Sequence, residues 1–222
     1  MHPDVPVIAI DGPSASGKGT VAARVAQQLA WHCLDSGSLY RIVAVAALRD
    51  RVALDDESTL SALAAELPAV FDSGRVLLGT EDVTDAIRSE EASSGASRVA
   101  VLSGVRAGLL ARQRAYRQPP GLVAEGRDMG SVVFPDAPLK IFLTASVESR
   151  AERRYNQLKE KGLPATLAGL LQDLRDRDAR DSGRSVAPLQ KCADALLLDT
   201  TGMTIDESVE RVVQWAAERF RR

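Results

Sequence analysis

Residues Gly12 to Thr20 read GPSASGKGT, and these nine positions hold what is needed to bind a polyphosphate. Glycines let a backbone curl until its N–H groups meet phosphate oxygens, Lys18 supplies a reaching ammonium, and the helix after it would present its positive end. Gly12, Pro13, Ser14, Ala15, Ser16, Gly17, Lys18, Gly19 and Thr20 are therefore the expected ATP-binding loop. One position departs from the pattern G-x-x-x-x-G-K-[ST]. Gly19 stands where a hydroxyl would coordinate magnesium, and Thr20 lies about 100° further round a helix. A guanine-reading N-K-x-D box is also missing, because the only asparagine, Asn156, is followed by Gln157. Both features argue against a switch GTPase.

Arginine is the second chemical resource, outnumbering lysine 23 to 5, whereas His2 and His32 are the only histidines. Schemes that need a Ser-His or Cys-His pair have almost nothing to draw on. Transfer of a phosphoryl group to an acceptor that is already anionic needs no base; it needs in-line positioning and neutralised charge. Arg41, Arg127, Arg177 and Arg184 lie near expected strand ends or helix termini and suit that work. Arg150, Arg153 and Arg154 share one broad helical face, where they could meet ATP phosphates or pair with Glu148, Glu152 and nearby aspartates. The alternation RDRDARD around Arg177 also reads as a solvated helix. Asp35 has a structural reading too, tying a strand end to the adjoining turn.

The elements that must position these residues emerge from apolar spacing. VPVIAID (5–11) is a β-branched run ending at glycine, and KGTVAARVAQQLAW then repeats at helical intervals, so strand, loop and helix come in that order. A second helix is expected in GSLYRIVAVAALRDR with Ser36 as its N-cap. Residues 55 to 91 break the rhythm with short strands about a turn at Ser73-Gly74, which marks an insertion. Helix returns over 93–118, bent near Ser103-Gly104 and stopped by Pro119-Pro120. GLVAEGRDMG (121–130) and LKIFLTAS (139–146) are buried-strand candidates. Two charged helices, a last strand DALLLD (194–199) and an amphipathic helix complete a chain whose strands, separated by helices, imply a parallel sheet.

Composition bounds the class. A chain of 222 residues, 45% hydrophobic, with a formal charge of −2, suits one α/β domain and proposes neither nucleic acid nor membrane as a partner. Cys33 and Cys192 form no C-x-x-C pair, the N-terminus lacks a leader pattern and no long apolar run occurs, so a cytoplasmic enzyme is expected. No apolar stripe calls for a partner, and a monomer is the expectation.

The ending G-K-G-T resembles the loop of nucleoside monophosphate kinases, where metal is held largely by water and the nucleotide's own phosphates. DGPSASGKGT, LDSGSLYR (34–41), EGRDMGSVVFPDAPLKIFLTAS (125–146) and RDRDARDSGRSVAPL (175–189) occur in the same order as in bacterial cytidylate kinases, and the resemblance covers essentially the whole chain. It implies a P-loop NTPase fold, with a five-stranded parallel sheet flanked by helices, an acceptor-binding insertion (55–91) and a short lid (148–184) on a core of 1–54, 92–147 and 185–222. It implies phosphoryl transfer from ATP, with Mg²⁺, to CMP or dCMP in pyrimidine metabolism.

By resemblance, Arg41, Arg127, Arg177 and Arg184 surround the acceptor phosphate and the transferring group together with Lys18, and Ser36, Tyr40 and Asp181 are further acceptor contacts. Ser97, Arg106 and Asp128 form the base site. Asp128 can accept from cytosine's exocyclic amine, and Arg106 can donate to its ring nitrogen and carbonyl. Asp128 also has a bland reading, as a loop carboxylate paired with Arg127. The direct magnesium ligands stay open, with Glu125 and Asp11 as candidates. A P-loop kinase for UMP, AMP or shikimate is the nearest rival, and a non-catalytic nucleotide-binding module a more distant one.

Overall fold

The computed structural model describes residues 4–72 and 75–220, so the turn expected at Ser73-Gly74 lies outside the described residues. The first strand, β1 (Val7–Asp11), is buried along its whole length, as a strand covered on both faces must be. It occupies the middle of a five-stranded sheet of order β2-β6-β1-β7-β8, with β2 at His32–Asp35, β6 at Leu122–Gly126, β7 at Leu139–Thr144 and β8 at Leu196–Asp199. β1 runs parallel to both β6 and β7, and β7 parallel to β8. The expected five-stranded parallel α/β sheet flanked by helices is what the chain forms.

Register decides where the chemistry emerges. Asp11 pairs with Gly126 on one side and Phe142 on the other, so the carboxyl ends of β1 and β6 lie side by side. The loop 12–17 and the segment that begins at Arg127 thus leave adjacent strands at the edge where parallel sheets bind ligands. Helix α1 (Lys18–Leu29) and the last helix, α8 (Ile205–Phe220), cover one face. Their Val21, Val25, Val209 and Val212 pack with Ile8, Ile10, Val123 and Ile141 in one apolar cluster.

The chain divides into two compact units, Met1–Leu34 with Tyr116–Arg222, and Asp35–Ala115. The larger unit holds the sheet strands, α1 and α8, together with α6 (Val147–Glu160) and α7 (Leu167–Gly183). Thr166 caps α7 by accepting from the Gly169 amide.

In the smaller unit, α2 (Ser36–Arg49) begins one residue earlier than expected. Asp35 is its N-cap, accepting from the Ser38 amide at 3.0 Å, and Ser36 is the first helical residue. A carboxylate at that position answers the helix dipole as well as an orphan N–H, which a serine hydroxyl does less well. The helix expected over 93–118 is two helices, α4 (Glu90–Val99) and α5 (Ser103–Ala115). Glu57, which opens α3 (Glu57–Ala65), accepts from the Ser103 hydroxyl at 2.9 Å and the Gly104 amide at 2.7 Å, so a neighbouring helix caps α5. A three-stranded antiparallel sheet of β3 (Ala69–Asp72), β4 (Arg75–Leu78) and β5 (Glu81–Asp82) completes the unit. Among the described residues no helix is long and apolar enough to cross a membrane.

Gly12 joins β1 to the loop under the tightest steric limit in the larger unit. A Cβ there would lie 1.9 Å from the Leu143 carbonyl oxygen, a backbone atom of β7 that cannot turn away. Gly12→Ala must push the loop off the sheet, at a cost on the order of 3 kcal/mol. The expected outcome is a lower urea midpoint together with weakened ATP binding, measured by chemical denaturation and calorimetry. An alanine variant with an unchanged midpoint would show that the loop is free to shift.

Candidate active site

Asp11 closes β1 and shapes the turn after β6. Its Oδ1 accepts from the Met129 amide and its Oδ2 from the Gly130 amide, both at 2.8 Å. Those two N–H groups open a π-helical turn, Met129–Val133, directly behind Arg127 and Asp128. Asp128 is buried, and its backbone carbonyl accepts from the amides of Val132 and Val133. One carboxylate on a central strand therefore sets the turn that presents the next arginine and aspartate. Of the two magnesium candidates, Asp11 has both oxygens engaged by the backbone.

The other candidate, Glu125, faces Lys18. The ammonium lies 3.6 Å from Glu125 Oε2 and donates to the Pro13 carbonyl at 3.3 Å, with both side chains largely buried. Gly17, the left-handed residue that caps α1 at φ 91°, precedes a first turn without acidic side chains, which leaves the helix end electropositive. Among the described residues no three His, Cys, Asp or Glu side chains gather as a metal set. The Glu125 carboxylate beside Lys18 could hold an ion through the ion's water.

Asp181 on α7 is the hub of the arginines. Arg127 Nε donates to its Oδ2 at 2.7 Å, while Arg127 Nη2 donates to the Ser14 hydroxyl at 2.9 Å. Arg184 Nη2 stands 3.8 Å from Asp181 Oδ1, and its Nε donates to the Asp181 carbonyl. Burial raises the Asp181 carboxyl, but the charges of Arg127, then Arg184 and Arg177, outweigh it and hold the group below the ordinary aspartate range. The structure thus brings Arg127, Arg177 and Arg184 around one carboxylate, beside Ser14 of the loop. The reading of RDRDARD as a wholly solvated helix fails at Asp181, which is 5% exposed. Arg127 pairs with Asp181 through its Nε.

Two of the α6 arginines hold the loop through its carbonyls. Arg150 donates to the Ser14 carbonyl at 3.0 Å and pairs with Asp178. Arg153 donates to the Ser16 carbonyl at 3.2 Å and to the Thr200 carbonyl. Arg154 faces Gln157 at 3.5 Å. Glu148 pairs instead with Arg175. Thr200, just past β8, donates its hydroxyl toward the carbonyls of Thr144 and Ser16. Neither Asp178 nor Thr200 was singled out by sequence. For Asp178 the signal was its spacing of three from Asp181, which puts both on one helix face.

In the smaller unit, Arg41 lies 3.7 Å from Asp35, so the capping aspartate also steadies an arginine. The Arg106 guanidinium stacks over Tyr40 at 5.8 Å from the ring centre and donates to the Ala100 carbonyl. Cation–π stacking of a buried guanidinium fixes its plane. Ser36 and Ser97 are buried, and the Ser97 hydroxyl has no hydrogen-bond partner among the described residues. A buried hydroxyl in that state suits a ligand that completes it.

A parallel sheet, a glycine-rich strand-to-helix loop ending in lysine and the arginines gathered about Asp181 define a P-loop phosphotransferase. Solved structures agree on the fold: an uncharacterized protein from Eubacterium ventriosum matches with TM-score 0.53 at 12% identity, covering 96% of this chain and 99% of that one. A gluconokinase from Sinorhizobium meliloti matches with TM-score 0.50 at 14% identity, covering 96% and 92%. The sequence profile described as cytidylate kinase matches residues 8–218. Cytidylate kinases of Chromobacterium violaceum (60% identical over 97% of both chains) and Bordetella pertussis (58%, covering 96% of both) are similar over nearly their full lengths. The chain belongs to the cytidylate kinase family.

Burial pushes the Asp11 carboxyl up to about 6, against the opposing pull of the Gly130 and Met129 amides. A carboxyl raised on folding adds stability below its unfolded value, and that contribution is lost as pH rises through the folded value. The stability of the wild type relative to Asp11→Asn, which cannot titrate, should decline between about pH 4 and pH 7 by on the order of 3 kcal/mol. Denaturant unfolding of both proteins across this range checks it, and a pH-independent difference would mean that Asp11 is not raised.

Proposed function

We propose that this chain transfers the γ-phosphoryl of ATP to CMP or dCMP, giving ADP and CDP or dCDP. The observation that carries this reading is Arg127, which spans from the Ser14 hydroxyl of the phosphate loop to Asp181 of α7. A residue of the donor loop and a residue of the acceptor set are thereby joined through one guanidinium. In the reaction an oxygen of the acceptor monophosphate forms a bond to the γ phosphorus while the bond from that phosphorus to the β–γ bridging oxygen breaks. The nucleophile is already anionic, so no base is needed, and the scarcity of histidine is no handicap.

Lys18 and the loop amides hold the β and γ phosphates, and the pairing of Lys18 with Glu125 and its bond to the Pro13 carbonyl aim the ammonium at the loop. Glu125, beside Lys18, would hold an Mg²⁺ brought by ATP through the ion's water, and that ion would supply neutralisation of phosphate charge. Arg41, Arg127, Arg177 and Arg184 neutralise the acceptor phosphate and the transferring group. Such planar, permanently charged forks suit phosphate oxygens better than lysine does. Arg153 and Arg154 are proposed to approach ATP from α6. Ser36, Tyr40 and Asp181 contact the acceptor, with Ser36 and Asp181 near its sugar.

Ser97, Arg106 and Asp128 are proposed to read the base. The buried hydroxyl of Ser97 and the guanidinium plane set by Tyr40 support the first two. A buried Asp128 carboxylate would face an amine in cytosine but a carbonyl in uracil, and an unmatched buried acceptor is costly. Purified protein tested with ATP and a panel of CMP, dCMP, UMP and AMP should turn over the cytidine nucleotides preferentially. Asp128→Ala should lower kcat/KM for CMP at least about a hundredfold while leaving UMP nearly unchanged. Equal losses on both acceptors would remove Asp128 from base reading, and preference for AMP or UMP in the wild type would overturn the assignment.

A further inference from the structure

Ser14 is held twice, through two different atoms, by two arginines that end on the same helix. Its hydroxyl accepts from Arg127, which pairs with Asp181. Its carbonyl accepts from Arg150, which pairs with Asp178. Asp178 and Asp181 are one turn apart on α7, so they lie on one face and form two roughly parallel struts between the loop and that helix.

The two struts differ in what else their arginines do. Arg150 is 4% exposed and uses four of its five N–H groups within the protein. Its Nε donates to the Ala145 carbonyl at 3.1 Å, one Nη to the carbonyl of Ser14 at 3.0 Å and to Asp178 Oδ1 at 3.1 Å, and the other Nη to Asp178 Oδ2. This is a fork-to-fork pair with little left to offer a nucleotide. Arg127, by contrast, uses three of its five N–H groups within the protein and belongs with Asp181 to the proposed acceptor contacts. One strut is therefore shared with substrate while the other is not.

We infer that Arg150 and Asp178 are a positioning pair, holding α7, with its Arg177, Asp181 and Arg184, in register with the phosphate loop while Arg127 and Asp181 engage the acceptor. Arg150 then acts on ATP only through the loop carbonyl. The catalytic consequence rests on the cytidine-monophosphate reading, whereas the mechanical coupling of loop and helix does not.

Asp178→Asn keeps the shape and one acceptor but loses the charge, and Arg150→Lys keeps the charge but loses the fork. Each should lower kcat for CMP about thirtyfold while leaving the directly measured ATP Kd within about twofold, because Lys18 and the loop amides are intact. Arg150→Ala/Asp178→Ala should be no slower than the worse single alanine variant, as expected of groups that act as one unit. Hydrogen exchange in the nucleotide-free protein reports the coupling itself. Asp178→Asn should speed exchange about tenfold both in the loop, residues 14–17, and in α7 around residues 175–184.

Acceleration in α7 alone would overturn the strut, as would a kcat within twofold of wild type. An ATP Kd weakened more than about tenfold by Arg150→Lys but unmoved by Asp178→Asn would make Arg150 an ATP ligand instead. If the wild type does not phosphorylate CMP, the functional reading falls, yet joint acceleration in loop and helix still supports the pair.

Discussion

A loop that turns its amides toward an anion leaves its carbonyl oxygens facing the protein, and buried carbonyls need donors. The loop here meets that demand with cations. Lys18 donates to the Pro13 carbonyl, Arg150 to that of Ser14 and Arg153 to that of Ser16, with the Thr200 hydroxyl also directed at Ser16. Those donors come from α1, α6 and the segment after β8. The shape of nine residues is thus imposed by their own lysine and by two distant parts of the chain, which the larger unit is arranged to deliver.

Cations withdrawn from water then require anions beside them. Glu125 answers Lys18, Asp178 answers Arg150 and Asp181 answers Arg127 and Arg184. Removing one member of such a pair leaves an uncompensated charge, which makes the network cooperative and intolerant of single changes. Asp11 solves a different problem. It is held by two backbone amides, and because that compensation is incomplete its carboxyl is displaced upward to about 6. The same burial that fixes the turn after β6 therefore makes its anchor titratable.

The abundance of arginine does not by itself say which side chains matter, and position separates them. Arg106, Arg150 and Arg184 are buried, which an incidental cation would not be. Arg24, Arg49 and Arg175 sit on the surface in exposed pairs worth little.

Periodicity and punctuation made the elements legible: the buried run before Gly12, the helix after Lys18 and the strand before Arg127 all lie where apolar spacing puts them. Local motifs likewise made the glycine-rich loop and the arginines legible as candidates, because phosphate binding needs particular residue types at fixed spacings along the chain. What the chain order could not supply was partnership. Glu57 as the cap of α5, Asp11 as the anchor of residues 129 and 130, and Asp178 as the counter-ion of Arg150 are separated from their partners by tens of residues. Each looks locally like an ordinary exposed or metal-binding acid. Sequence by itself determined which groups could carry the chemistry; the tertiary structure decided which carboxylate faces which cation, since only the parallel register of β1 with β6 and the crossing of α6 with α7 bring those charges within bonding distance.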